Sequence, residues 1–175
     1  NKNTRTSSPV QSLLLKTCFD HPDDKVRKAS FLLIQTAGIT DEALLQNAIS
    51  RAIKNVAEKK LGDEKRVDAV NIISLKDPSP HVNILKALVV PQEHPSLQIA
   101  AIKTLSLIPD RTVTDYLVEH WASVTPGVRE EALKTFMISG DRKKQLVNAV
   151  ATGKIPAASV GWVRSTQLMQ DDDDS

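Results

Sequence analysis

His21, Asp23, Asp24 and Arg27 fall within one short stretch, HPDDKVRKASFLLI, whose residue types could move a proton or grip a cation. His81, His94, His120 and the single cysteine, Cys18, complete the groups able to act as base, ligand or nucleophile. None has the short-range company that such chemistry needs. A helical metal site wants a second histidine four residues on, beside a carboxylate. Nucleophilic catalysis wants a serine or cysteine beside a base, and no GxSxG elbow occurs. The glycines are scattered, without a GxxxxGK[ST] or GxGxxG loop to cradle phosphate. One cysteine excludes an internal disulfide, a thiolate zinc site and a CxxCH haem attachment, and Cys18 is expected to be buried as a small hydrophobe. The acids Asp171 to Asp174 lack the alternating ligands and glycine turn of a calcium loop, so they read as the acidic turn of a truncated next repeat or as a frayed end. No catalytic, cofactor-binding or metal-binding residue is assigned.

What positions these residues is repetition. His21-Pro22 and His94-Pro95 precede similar runs, VRKASFLLI and LQIAAIKTL, which makes both histidines turn or cap residues rather than parts of one site. Two weaker copies begin at Lys65 and Val128. Setting Val26, Lys65, Leu97 and Val128 in register gives spacings of 39, 32 and 31 residues, each long enough for one two-helix repeat.

A hydrophobic share of 41% supports a sizeable core, and only 3% aromatics means that Leu, Ile, Val and Ala must build it, as suits helix-on-helix packing. The formal charge of +2 implies no phosphate-binding surface by itself. No apolar run is long enough to span a bilayer, and NKNTRTSSP lacks the order of a signal peptide.

Along the chain, Ser8 and Pro9 open a helix through Val10, Leu13, Leu14 and Cys18. Asp23 or Asp24 caps the next, with Val26, Ala29, Ser30, Leu33 and Ala37 on its core face and Gly38 as its stop. A long amphipathic helix follows from Thr40-Asp41, with Leu44/Leu45, Ala48/Ile49, Ala52/Ile53 and Val56/Ala57 recurring every four residues. Further helices are expected over 63–75, 81–90, 95–108, 110–121, 128–138, 142–151 and 160–169.

Arg27, Arg66 and Arg129 follow the first aligned position of their copies, and Gln98 replaces arginine in the fourth. With Lys28 they form the candidate interaction surface for an acidic partner: Arg27, Lys28, Arg66, Gln98 and Arg129. The competing reading, preferred on physical grounds, is that each arginine pairs with a carboxylate or carbonyl of a neighbouring repeat. The basic runs at Lys25 to Lys28, Lys59 to Arg66 and Arg142 to Lys144 lack the flanking aromatic platforms of nucleic-acid recognition and read as solvated helix faces.

The recurring acidic or HP turn followed by V-R-x-x-A-L resembles HEAT repeats of the bacterial, bilin-lyase-like type. The order KRVDAVNIISL, PQEHPSLQIAAIKTL, VTDYLVEHWASVTPGVREEAL and GKIPAASVGWVRSTQLMQDDDD resembles the helical domain of the PVC-type haem-binding CxxCH proteins (membrane-bound dehydrogenase type), over about residues 20 to 175. The resemblance implies an exported, periplasmic bacterial parent, in which a propeller precedes the helical repeats and a c-type haem domain follows them. The CxxCH is absent here, so no haem-binding residue carries over.

The sequence therefore predicts an all-α chain, a right-handed α-α superhelix (HEAT/ARM-like solenoid) of about four to five helix pairs. It is expected to be a single domain over 1–175, with a polar lead at 1–8, and a piece of a larger multidomain protein. The expected role is a non-catalytic scaffold or protein-interaction module without a cofactor of its own. Its partners would be proteins, chiefly flanking domains of the same chain, with no nucleic acid and no membrane span. The alternatives are a nucleic-acid-binding HEAT-like solenoid and a bilin-lyase-like module.

Overall fold

A computed structural model describes residues 8–173 of the 175-residue chain. Among the described residues there are eleven α-helices and no strand. The chain divides into two compact units, Asn1–Leu85 and Lys86–Ser175.

The first unit holds α1 (Ser8–Asp20), α2 (Asp24–Ala37), α3 (Glu42–Ala57) and α4 (Asp63–Ile73). Helix α1 packs on α2 and α3 on α4, while α4 also reaches α2 and α1. Aspartates start the second and third helices: Asp23 accepts from the Lys25 N–H at 2.8 Å and Asp41 from the Leu44 N–H at 3.0 Å. Each satisfies a backbone donor that the first helical turn leaves without a partner. A short 3-10 turn, Lys59–Leu61, leads to Gly62, whose φ of 75° lets the chain reverse into α4 where a Cβ would strain it.

The aliphatic stripe expected on α3 is present, with Leu45, Ala48, Ile49, Ala52 and Val56 buried. Two other faces are corrected. Helix α1 buries Gln11, Leu15, Cys18 and Phe19, leaving Val10 and Leu13 exposed. Helix α2 buries Arg27, Ser30 and Ile34, while Val26, Ala29, Leu33 and Ala37 face outward. The core face of α2 is thus turned by one residue from the expected one, because α1 and α4 both pack on the Arg27 side. Gln11 is buried for a specific reason. Its amide donates to the Thr40 hydroxyl at 3.0 Å and accepts from the Thr40 N–H at 3.1 Å, tying α1 to the turn before α3.

The helix expected over 81–90 is shorter. A 3-10 turn, Ser79–His81, precedes α5 (Val82–Lys86), and turns follow, with Leu85, Leu88 and Val89 buried.

The second unit holds α6 (Pro95–Leu105), α7 (Arg111–Glu119), α8 (Pro126–Phe136), α9 (Gly140–Ala151), α10 (Ala157–Val160) and α11 (Trp162–Asp173). Helix α8 packs on α6, α7 and α9, and α7 packs on α9. Leu97, Ala101, Ile102, Leu105, Val128, Leu133, Phe136, Leu146 and Ile155 form its core. Trp121, expected on the end of α7, sits instead in a 3-10 turn, Trp121–Ser123, and is buried there. Helix α11 continues through Asp173, so the acids from Asp171 to Asp173 extend a helix rather than forming a turn. Asp174, Ser175 and the polar lead before Ser8 lie outside the described residues.

Candidate functional site

The side chains set at the second aligned position of each repeat all turn back onto backbone carbonyls. Arg27 donates through Nη1 to the carbonyls of His21 and Pro22, each at 3.0 Å. Arg66 donates through Nε to the Val56 carbonyl at 2.8 Å. Gln98 donates to the Glu93 carbonyl at 2.8 Å. Arg129 donates through Nε to the Trp121 carbonyl at 2.9 Å and through Nη2 to that of Ala122 at 3.1 Å. The carbonyls held by Arg27, Gln98 and Arg129 lie in the segment just before their helices, and the Val56 carbonyl lies in the last turn of α3, so each side chain ties the start of its helix to the chain upstream.

A similar contact lies outside the candidate residues taken from the sequence. Arg164, in α11, donates to the Val160 carbonyl at 3.4 Å and pairs with Glu130 on α8. The signal for it was the dipeptide VR, present at Val163-Arg164 as at Val26-Arg27 and Val128-Arg129. Arg142, in α9, performs a related task, donating to the Ser106 carbonyl at 2.9 Å and to that of Ile108. Its burial without a carboxylate favours the neutral form and moves its pKa down.

Three of the five candidate surface residues, Arg27, Arg66 and Gln98, are therefore buried. Arg27 and Arg66 are each 3% exposed and Gln98 is 1% exposed. Arg129 is half-buried against Trp121, its guanidinium 5.8 Å from the ring centre. Only Lys28, with a side chain 60% exposed, faces solvent, where it pairs with Asp24 one helical turn away at 2.7 Å. The reason is geometric. The second aligned position lies on the inner side of its helix in each copy, within reach of upstream carbonyls that a long side-chain donor can satisfy.

Inside the first unit Arg27 pairs with Asp68, both largely buried. Arg27 Nε donates to Asp68 Oδ2 at 2.5 Å, from α2 to α4, with Glu64 a further 3.9 Å contact at the edge. Burial raises the Asp68 carboxyl above the usual carboxylate range, against the opposing pull of Arg27. A cavity of about 260 Å³ adjoins the pair, lined by Cys18, Phe31, Leu32, Asn71 and Ile72 among others. Cys18 beside a carboxylate suggests a thiol site only until its ionisation is considered. Burial, with Asp68 nearby, pushes the thiol up to about 11, so it stays protonated at neutral pH and is a poor nucleophile.

The histidines serve backbone turns. His21 Nδ1 accepts from the Asp23 N–H at 3.1 Å, and His94 Nδ1 from the Ser96 N–H at 3.3 Å, so the two HP turns share one device. His120 Nδ1 lies 3.0 Å from the Tyr116 carbonyl, and its ring stacks on that tyrosine with centroids 4.0 Å apart. His81 ends the 3-10 turn before α5. Among the described residues no cluster of three or more His, Cys, Asp or Glu side chains could hold a metal ion. No helix among them is long and apolar enough to cross a membrane.

Comparison with protein families, with curated proteins and with solved structures found no match for this chain.

Proposed function

We propose that this chain is a non-catalytic helical-repeat scaffold, a right-handed α-α superhelix of HEAT/ARM type that holds other protein domains at a set separation. The observation that carries the reading is the recurring anchor. At four aligned positions, Arg27, Arg66, Gln98 and Arg129, and again at Arg164, a side-chain donor reaches a backbone carbonyl upstream of its own helix. A device repeated in this way supports stacking of like units, each burying its apolar face only against neighbours. It also gives the most suggestive polar side chains a structural task. The resemblance to the helical domain of haem-binding CxxCH proteins extends the proposal to an exported parent oxidoreductase, with this segment between its propeller and haem domains.

Small-angle scattering tests the architecture. A compact chain of this length has a radius of gyration of about 16 Å, and a superhelix should exceed roughly 19 Å. A value near the compact limit would overturn the superhelix, and turnover of a small substrate by the isolated chain would overturn the scaffold.

A further inference from the structure

A cleft of about 960 Å³ opens in the second unit, where the turn after α6, the turn after α8 and the first turns of α9 come together. Its size is within the range of clefts that hold ligands. Three cations line it, Arg111, Arg142 and Lys144, against one acid, Asp141. Arg142 is the unusual member. It is 6% exposed, its hydrogen bonds go to the Ser106 and Ile108 carbonyls, and no described carboxylate pairs with it. Carbonyls satisfy its donors but leave its charge uncompensated in a place where burial disfavours it. Lys144 is exposed and has no acidic partner among the described residues. Arg111 is tied only to Asp115, one turn along α7 at 3.4 Å, with both side chains largely in solvent. A pair of that kind exchanges readily for another carboxylate.

The cleft is apolar as well as basic. Leu107, just after α6, and Ile138, just after α8, both line it and are 56% and 59% exposed. A ligand that pairs with the cations while covering these two side chains must carry carboxylates beside aliphatic groups. A phosphate backbone offers nothing to Leu107 and Ile138, and no aromatic ring lines the cleft for a base to stack on.

From this we infer that the cleft is a docking site for an acidic segment of a partner protein, one in which Asp or Glu alternates with aliphatic residues. Its carboxylates pair with Arg111 and Lys144, and an aliphatic side chain lies over Leu107 and Ile138. Arg142 supplies charge from beneath, where its field is less screened than that of an exposed cation. The inference rests on the proposal that this chain takes protein partners, and it gives the chemistry of one.

Fluorescence anisotropy of the full chain with a short labelled peptide alternating Glu and Leu, at about 0.15 M salt, tests this. The expected result is saturable binding with a dissociation constant below about 100 µM, at least about tenfold tighter than for peptides alternating Glu with Ser or Lys with Leu. Arg111→Glu and Lys144→Glu should each weaken it by at least about tenfold with unchanged helical circular dichroism. Leu107→Ser should weaken binding of the Glu/Leu peptide and leave that of the Glu/Ser peptide alone. Lys16→Glu, the same change of charge at an exposed position of α1, should have no effect. An equal loss from Lys16→Glu would mean attraction to net charge rather than to the cleft, and overturns the inference. So do an affinity indifferent to the leucines, tighter binding of a single-stranded oligothymidylate, or no binding up to about 1 mM. None of these outcomes decides the scaffold proposal, which stands or falls on scattering and turnover.

Discussion

Arg27 and Asp68 meet at 2.5 Å inside the first unit, and the same guanidinium also holds the carbonyls of His21 and Pro22. One side chain therefore joins α2 to α4 and closes the turn before α2. Removing a partner from such a pair strands the other in a poorly solvated place. Asp68→Ala should destabilise the chain by about 3 kcal/mol, and Arg27→Met should cost at least as much because two carbonyls also lose their donor. The double variant Arg27→Met/Asp68→Leu should cost clearly less than the sum of its parts. Urea denaturation of the four proteins measures this, and additive losses would show that the pair is not energetically coupled.

The anchors and the exposed lysine next to one of them should behave oppositely. Arg66→Ala removes a buried donor from the Val56 carbonyl and should cost about 2–4 kcal/mol. Lys28→Ala, at a solvent-exposed pair one turn apart, should leave stability unchanged within the error of the measurement. Comparable losses at the two sites would contradict the assignment of Arg66 as an internal anchor.

His94 sits where helices more often carry Ser, Thr, Asp or Asn, and its ring nitrogen takes the Ser96 N–H. His94→Ala should cost about 1 kcal/mol, whereas His94→Asp should keep the stability of the native protein or raise it. Thermal unfolding distinguishes this from a role that needs an imidazole, for which aspartate would be no substitute.

Cys18 supplies a pH dependence with a definite sign. Its folded pKa of about 11 lies above the ~8.5 of an unfolded thiol, so the folded state holds the proton more tightly. The associated stability is complete below about pH 8.5 and is lost as pH rises through about 11. Relative to Cys18→Ala, the native chain should therefore lose on the order of 2 kcal/mol across that interval. At pH 8 the thiol should react with an aromatic disulfide at least about a hundredfold more slowly than free cysteine. Reaction at the free-cysteine rate would place the thiol in an open site instead.

The helices were legible in the sequence because their punctuation is local. Asp23, Asp41, Gly38 and Gly62 act within a turn of where they stand, and the four-residue recurrence in α3 needs no knowledge of its neighbours. The faces of α1 and α2 were not legible, because these helices carry more apolar residues than the described fold covers. Which of two aliphatic stripes turns inward depends on where α4 lies. The anchoring arginines were legible in part: pairing with a carboxylate or carbonyl was the preferred reading of their regular placement, but which carbonyls they take, and how deeply that buries them, has no signature in side-chain sequence. Their phase was available nonetheless, since Arg27, Ser30 and Ile34 share one helical face. Helix α5 was overextended because Leu88 and Val89 are as buried as helical residues while belonging to turns.

The anchors differ in how far they reach. Their acceptor carbonyls lie four residues upstream for Arg164, five for Gln98, five and six for Arg27, seven and eight for Arg129, and ten for Arg66. Every amino acid brings a carbonyl, so the turns can change composition, and even length, without losing the acceptor. A segment copied within such a gene would carry its own fastening with it, and the turns around it could drift freely afterwards.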